Sequence, residues 1–439
     1  MKYKPELHKL SNGVPVIFDP MDLEAVDFRI VFFTGSRDEK PSEYGITHFC
    51  EHMFCKGSKR FPNYKDRREY LADMGCVSNA STCDKRLSFY GECVADNLDV
   101  LIDCIGEQLQ NPLFDADTIE HERGPILDEL RRSEDTEKNK DIYFIYKKLF
   151  NSDYDHTLGT VENIKSFTRK QLLFFIRRRM SSDNCVIVIS GKIRNKEKTL
   201  AQLEKSFGFL KPFNVKENEK MEYTPHCAHK TRTKNSNVRI RIMFPVLWPE
   251  GDEYKFQRMC VNKFKQILLE KLADKLRMEH GLVYSVSGQG YGDRGCRLFG
   301  IDTQTAPDNV AKCVALIAQT CADIYYNNSF SSQDIERVTK RFALGDAKYL
   351  DSPKERADNL IGRYHYHKDL YDFYGVVKMG HSIKRDDIIK NIRGIFDGKM
   401  SIITSGPKFD GDLMKIWRDN FKPDNTNSMT VVKKNKKTR

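Results

Sequence analysis

The sequence contains no apolar run that approaches the roughly 20 residues needed for a membrane-spanning helix. Its start, from Met1 to Leu10, has no apolar segment of the kind found in a secretory signal. The same residues are not rich in arginine and serine, as a transit peptide would be. These absences predict a chain with no signal peptide or membrane segment, and we expect it in the cytoplasm.

Cysteine is present without being concentrated, since twelve cysteines are spread over 439 residues. In a chain of this length, such spacing favours reduced thiols in a cytosol-like compartment over a disulfide scaffold. Cys50 and Cys55 are interpreted as packing residues, with a redox-sensitive role as the alternative. The run from His226 to His229 contains two histidines and a cysteine, but it is short, has no further partner in the sequence and lies in linker-like sequence.

The net charge of +11 is unevenly distributed, because five positive charges fall within the last seven residues. We therefore predict that residues 426–439 form a basic disordered tail. No motif of interleaved aromatic and basic residues accompanies this tail, so nucleic acid is not an expected partner.

The run His48-Phe49-Cys50-Glu51-His52 carries the strongest chemical signal in the chain. On a helix, His48 and His52 leave the same face one turn apart, which suits two nitrogen ligands of one Zn²⁺. Glu51 lies beside them and could accept a proton from zinc-bound water, as the glutamate of zinc peptidases does. The inverted order His-x-x-Glu-His is itself a signature of zinc peptidases. The alternative is a solvated helix face that carries His and Glu by coincidence.

A catalytic zinc needs a third protein ligand, and residues 119–132 are predicted to form an amphipathic helix that could supply it. Glu122 and Glu129 lie seven residues apart, on one face of that helix. One of them could bind the metal while the other supports a ligand histidine. From spacing alone, a solvated acidic stripe remains the alternative.

These motifs together resemble the pitrilysin, insulysin and mitochondrial processing peptidase family of inverted-motif zinc peptidases. In that family a Glu ligand follows the second His by 77 residues, which corresponds to Glu129, and an acidic residue seven positions earlier corresponds to Glu122. The resemblance implies one Zn²⁺ per chain, held by His48, His52 and Glu129. Further segments resemble the family in the same order along the chain: Leu10–Val14, Gly35–Glu39, Gly75–Thr82 and Val186–Ile193.

The resemblance also assigns residues that bind the substrate. Asn79 and Ala80 correspond to the edge strand on which the substrate backbone is laid. Arg277 and Tyr284 correspond to a pair around Gly-Leu-x-Tyr-Ser, and both are reasonable donors to the oxyanion formed during peptide hydrolysis. The chain departs from the family just before Arg277, because residues 265–276 contain no glycine. We therefore expect a longer or more regular helix there.

The fold predicted from these patterns is α+β, with two related domains that each pack helices on a mostly antiparallel mixed sheet. Strands are expected near residues 14–18, 27–34, 77–82, 86–94 and 185–190, and again near 237–244, 283–290 and 296–304. The predicted domain bounds are 1–215 for the zinc domain, 216–236 for a linker, and 237–425 for the domain that carries Arg277 and Tyr284.

The function predicted is that of a zinc-dependent endopeptidase acting on unfolded peptides or presequence-like segments. The family resemblance implies that two chains form a closed chamber, as a homodimer or as a heterodimer with a related subunit. Two alternatives remain. The first is a catalytically silent or regulatory partner subunit, and the second is an unrelated metal-binding or nucleic-acid-binding protein.

Overall fold

The computed structural model describes residues 4–151, 157–215, 222–246, 252–293, 296–370, 372–397 and 399–423. Its strands are β1 Glu6–Lys9, β2 Pro15–Pro20, β3 Ala25–Phe32, β4 Val77–Thr82, β5 Leu87–Val94, β6 Cys185–Gly191, β7 Cys227–Thr231, β8 Val238–Val246, β9 Val286–Asp293, β10 Cys296–Thr305 and β11 Ser401–Gly406.

The helices alternate with these strands in both halves of the chain. They are α1 Ile46–Lys56, α2 Tyr64–Asp73, α3 Leu98–Gln110, α4 Ala116–Glu134, α5 Glu137–Phe150, α6 Val161–Ser166, α7 Arg169–Arg179, α8 Lys196–Phe207, α9 Asp252–Ala273, α10 Val310–Asn327, α11 Ser332–Leu350, α12 Pro353–His367, α13 Phe373–Ser382, α14 Arg385–Asp397 and α15 Leu413–Asn420. In the part of the chain that the structure covers, no helix is both long enough and apolar enough to cross a membrane.

The first sheet has the strand order β1-β2-β6-β3-β5-β4. Only β2 and β6 pair in parallel, and every other neighbouring pair is antiparallel. The residues of β6 are all buried, as expected for a central strand covered on both faces. β4 is the last strand at one side, so it is an edge strand, as the sequence predicts.

The second sheet repeats this plan with the order β7-β11-β8-β10-β9. Its first pair is parallel and its other three pairs are antiparallel. The same holds for β2-β6-β3-β5-β4 of the first sheet, and the strands follow one another along the chain in the same way. The α+β class with two related sheets is therefore confirmed.

The chain divides into two compact units, which differ from the two halves of the sequence by an exchange of helices. Over its described residues, the first unit comprises Met1–Tyr143, Asp153–Glu219 and Gly345–Gly375. Over its described residues, the second comprises Phe144–Ser152, Lys220–Leu344 and Val376–Arg439. α12 thus belongs to the first unit although it lies late in the sequence, and the end of α5 belongs to the second.

In the first unit, α12 covers the face of the sheet opposite to α1. Ala357, Leu360 and Ile361 pack on Ile17 and Val31 in a small apolar cluster. Two ion pairs fix the helix: Arg356 donates to the buried Asp19, with Nε–Oδ2 at 2.7 Å, and Arg29 Nη1 lies 2.7 Å from Asp358 Oδ1. Sequence periodicity cannot reveal this packing, because the partners are more than 300 residues apart.

Two predicted segments need separate comment. The predicted linker 216–236 contains β7, a short strand that was not predicted from the sequence and that pairs in parallel with β11. β7 is half-exposed at the side of its sheet and its partner lies far along the chain, which leaves no local pattern to detect. Residues 216–221 and the predicted tail 426–439 lie outside the described residues. The predicted domain bounds stay a prediction.

Candidate metal centre and its surroundings

Three side chains of ligand type converge between α1 and α4. Nε2 of His48 lies 3.5 Å from Oε2 of Glu129, and Nε2 of His52 lies 3.6 Å from the same oxygen. All three ligand atoms lie within 4.8 Å of one another. Among the described residues, this is the one group of three or more His, Cys, Asp or Glu side chains that could hold a metal ion.

A glycine and a buried carboxylate fix the start of α1, the helix that carries the two histidines. Gly45 adopts φ +89°, and a Cβ there would meet the backbone of Gly159 at 2.4 Å, so only glycine suits the position. The buried carboxylate of Glu39 accepts hydrogen bonds from the backbone N–H groups of Gly45 and Thr47, at 2.7 and 2.8 Å. Burial raises the pKa of Glu39 to about 7, against the effect of these donors. A buried side chain therefore accepts the hydrogen bonds of the backbone N–H groups at the start of α1.

Glu122 lies two turns before Glu129 on α4 and contacts the second histidine. It is completely buried, and its Oε2 lies 3.1 Å from Nδ1 of His52. Lys56, one turn after His52 on α1, places Nζ 2.7 Å from the other oxygen of Glu122. Burial would raise the pKa of Glu122, but the hydrogen bonds with His52 and Lys56 lower it to about 2. Glu122 is thus a buried carboxylate that is held ionised.

The two histidines have opposite electrostatic surroundings. Burial, aided by the nearby His52, lowers the pKa of His48 to about 4. Burial would also lower the pKa of His52, but hydrogen bonds with Glu122 and Glu129 outweigh it and raise this pKa to about 9. The hydrogen bond with His52 lowers the pKa of Glu129. The cluster therefore combines one neutral imidazole, one that favours a proton, and an ionised carboxylate.

The donor set fits Zn²⁺. Ligand atoms about 2.0–2.2 Å from one tetrahedral zinc lie about 3.4 Å from each other, close to the 3.5 and 3.6 Å observed. Nδ1 of His52 is taken by Glu122, and the buried Nδ1 of His48 has no hydrogen-bond partner in the described part of the chain. The Nε2 atoms remain for the metal in both rings, and three protein ligands leave the fourth position open to water.

Glu51 lies on α1 between the histidines, and the edge strand fixes its carboxylate. The hydroxyl of Thr82, the last residue of β4, donates to Oε2 of Glu51 at 2.6 Å. Burial raises the pKa of Glu51, and the Thr82 hydrogen bond opposes that shift. The charge of His52 lowers this pKa and that of Glu129 raises it, in addition to those two effects. The structure therefore adds a proton acceptor beside the three ligands.

Asn79 and Ala80 lie in the middle of β4. They pair with Tyr90 and Phe89 of β5, and β4 has no strand on its other side among those described. The backbone N–H of Ala80 donates to Oδ1 of Asn79 at 2.9 Å. Both residues lie where an extended peptide could pair with the sheet.

Arg277 and Tyr284 belong to the second unit, and they lie together there. The guanidinium carbon of Arg277 is 5.3 Å from the ring centre of Tyr284, which is 85% exposed. Arg277 lies in a π-helical turn, Asp274–Glu279, that follows α9. The helix before Arg277 is long, as predicted, but it ends in this less common turn, a feature that frequently marks functional positions.

Several contacts of this centre were not predicted from the sequence. They are the ion pair of Lys56 with Glu122, the hydrogen bond from Thr82 to Glu51, and the hydrogen bonds that Glu39 accepts at the start of α1. Lys56 has a local signal, since it follows His52 by four residues on one helix. Thr82 and Glu39 have none, because their contacts depend on tertiary packing.

Two family models match the chain. Residues 22–156 match the family model described as Insulinase (Peptidase family M16). Residues 166–342 match the model described as Peptidase M16 inactive domain. The chain therefore belongs to the insulinase family, peptidase family M16, and the resemblance predicted from the motifs is confirmed.

Individual relatives agree with this assignment. A stretch of 228 residues is 30% identical to mitochondrial-processing peptidase subunit beta of Dictyostelium discoideum, and it covers 50% of this chain and 48% of that protein. Over 428 residues, the chain is 24% identical to an uncharacterized zinc protease of Rickettsia bellii, which covers 93% of this chain and 98% of the relative. The chain thus spans about half the length of the first relative and nearly all of the second.

A solved structure shows the same fold. The crystal structure described as peptidase M16 inactive domain from Pseudomonas fluorescens matches with a TM-score of 0.81. The match covers 93% of this chain and 99% of the other, at 16% sequence identity. At that identity the similarity establishes the fold alone.

Proposed function

We propose that the protein is a zinc-dependent endopeptidase with its active centre on α1 and α4. The observation that carries the proposal is the convergence of His48, His52 and Glu129 within 4.8 Å, next to the carboxylate of Glu51. Three ligands with an adjacent proton acceptor are the arrangement that metal-assisted hydrolysis requires. Zinc-protease relatives support the choice of metal, and we propose one Zn²⁺ per chain.

In this proposal each residue has a defined task. His48, His52 and Glu129 hold Zn²⁺, which when bound would polarise water and the substrate carbonyl. Glu51 accepts a proton from the attacking water and later donates it to the leaving amine. Glu122 orients His52 by accepting the Nδ1–H bond, so that Nε2 faces the metal position.

The substrate side of the proposal uses an added strand and an oxyanion pair. An extended peptide would pair with β4 at Asn79 and Ala80, which requires a segment without its own fold. Arg277 and Tyr284 would donate hydrogen bonds to the oxyanion, either in the same chain or across a dimer. This mode of binding supports unfolded peptides or presequence-like segments as substrates.

We propose a homodimer as the assembly, with a heterodimer containing a related subunit as the alternative. One relative carries the name of a subunit, beta of the mitochondrial-processing peptidase, which supports an assembly of more than one chain. The cytoplasmic location and the absence of nucleic-acid and membrane partners stay predictions from the sequence.

The second candidate function is that of a catalytically silent or regulatory partner subunit. The match to a domain described as inactive favours it. However, that match covers residues 166–342, and all three proposed ligands and Glu51 lie outside this segment. The retained set of ligands and base therefore supports the active enzyme.

The two candidates can be separated by zinc analysis and peptide cleavage. We expect about one zinc per chain by elemental analysis and cleavage of an unstructured quenched-fluorescence peptide. Cleavage should stop with a zinc chelator and return when zinc is added back. A chain that is folded and zinc-loaded but cleaves no peptide, and that accelerates cleavage by a related subunit, would support the partner function instead.

A further inference from the structure

The hydroxyl of Thr82 has a place in the proposed mechanism that the family motif does not give it. We infer that Thr82 is a positioning residue, which holds the carboxylate of Glu51 in the orientation needed for proton transfer. The inference rests on the proposed function, since it concerns the same centre. Its basis is the 2.6 Å hydrogen bond from Thr82 Oγ1 to Glu51 Oε2.

The two residues belong to different elements, which makes this contact a tertiary one. Glu51 lies on α1, and Thr82 ends β4, where it pairs with Leu87 of β5. A glutamate on a helix has three rotatable side-chain bonds, and ordering them costs conformational entropy. Threonine is β-branched and its χ1 is restricted, so its hydroxyl offers a fixed anchor. The strand therefore orders the side chain that the helix presents.

The contact with Thr82 also distinguishes the two carboxylate oxygens of Glu51. Oε2 accepts the bond from Thr82, and in the proposed mechanism Oε1, which does not accept this bond, would take the proton of the attacking water. A general base must lie within hydrogen-bond reach of the proton it removes, and small displacements cost rate. Without the hydroxyl, Glu51 would sample orientations in which neither oxygen faces the water.

The position of Thr82 links the base to the substrate. Thr82 lies two residues after Ala80 on the strand where the peptide is proposed to pair. Ordering of β4 by a bound peptide would therefore also order the anchor of Glu51. This predicts an effect of Thr82 on kcat rather than on KM.

The experiment compares T82V, T82S and wild type in the full chain with the quenched peptide. T82V keeps the shape but removes the hydroxyl, and we expect a fall in kcat of about tenfold or more with KM within about twofold. T82S keeps the hydroxyl and should restore most of kcat. T320V serves as the matched control, because it removes a hydroxyl that donates to the carbonyl of Leu316 within α10. That variant should match wild type.

Two readouts other than turnover separate positioning from a structural role. The zinc content of T82V should equal that of wild type. In the E51Q background, T82V should leave the peptide Kd unchanged, because the residue on which it acts is gone.

The inference is overturned by any of three results: T82V retains the wild-type kcat, T82S is as impaired as T82V, or zinc is lost in T82V. A wild-type chain that cleaves no peptide would instead contradict the proposed function, so the two failures are distinguishable.

Discussion

The two units of this protein share the plan of their sheets but not their chemistry. In both, five strands pair in the same order, with one parallel pair followed by three antiparallel pairs. In the first unit, α1 follows β3 along the chain and carries His48, Glu51 and His52. Its counterpart α9 carries the buried Lys263, whose pKa is lowered by burial. The comparison teaches that the chemistry depends on a few residues of one helix rather than on the sheet.

The exchanged helices show a second difference between the units. α12 is held on the first sheet by the charged groups of Arg356 and Asp358. The end of α5 is held in the second unit by aromatic residues, since the ring of Phe150 lies 6.2 Å from that of Tyr223 and Tyr146 accepts a hydrogen bond from Gly292. The attachment of α12 therefore combines ion pairs with an apolar cluster, whereas that of α5 uses an aromatic contact and a hydrogen bond.

The largest effect should come from a single histidine of the first unit. H52A removes one ligand and the partner of Glu122, so we expect loss of bound zinc and a fall in cleavage of about a thousandfold or more. H229A is the matched variant in the second unit, where His229 bonds Thr404. Zinc analysis should show normal content in H229A, and equal zinc loss in both variants would contradict the assignment.

The charged attachment of α12 should be sensitive to the loss of one partner. R356A leaves the buried Asp19 without its cation, and we expect a loss of about 3–5 kcal/mol in the free energy of unfolding. In the second unit, Y146F removes the hydroxyl that accepts from the backbone N–H of Gly292 and should cost only about 1 kcal/mol. Urea denaturation measures both, and equal losses would show that the two attachments do not differ.

Arg277 and Tyr284 test whether the second unit contributes to catalysis. We expect R277A and Y284F each to lower kcat by about 100- to 1000-fold without changing zinc content, because each removes an oxyanion donor. Steady-state kinetics with zinc analysis checks this, and K275A, on the same π-helical turn, is the control. Wild-type kcat in both variants would restrict catalysis to the first unit.

The support that Glu122 gives to His52 should be visible in zinc affinity. E122Q weakens the bond that orients the ring, and we expect zinc affinity to fall about 10- to 100-fold. E120Q changes an exposed residue of the same helix and should have no effect. Competition with a chelator of known affinity measures both variants, and unchanged affinity in E122Q would remove Glu122 from the centre.

The pKa of His52 predicts a pH dependence of zinc binding. Without metal its pKa is about 9, so below that pH one proton must leave before Nε2 can bind zinc. His48 and Glu129 already lack protons above pH 6, since the pKa of the first is about 4 and that of the second is lowered. Zinc affinity should therefore rise about tenfold per pH unit between pH 6 and 9. A chelator competition series that shows a flat profile over this range would contradict the assignment.

The sequence was sufficient to predict the parts of the fold that carry a local or motif signal. Residues on one helix, such as His48 and His52, have a spacing that fixes their relative direction, and most strands carry a clear alternation or apolar run. The family resemblance, rather than spacing, was needed to choose Glu129 as the third ligand.

The parts that could not be predicted depend on contacts between distant segments. The attachment of α12 through Arg356 and Asp19 joins residues 337 positions apart. The contact between Thr82 and Glu51 depends on where a helix packs against a strand, which no periodicity describes. β7 was not predicted because its pairing partner, β11, lies far along the chain.

The most direct test of the central claim compares wild type with E51Q at equal zinc content. Glu51 is no ligand in this account, so E51Q should bind zinc as wild type does, while cleavage of the quenched peptide falls to background. Equal cleavage by E51Q, or the absence of zinc from both proteins, would contradict the assignment of α1 as the hydrolytic centre.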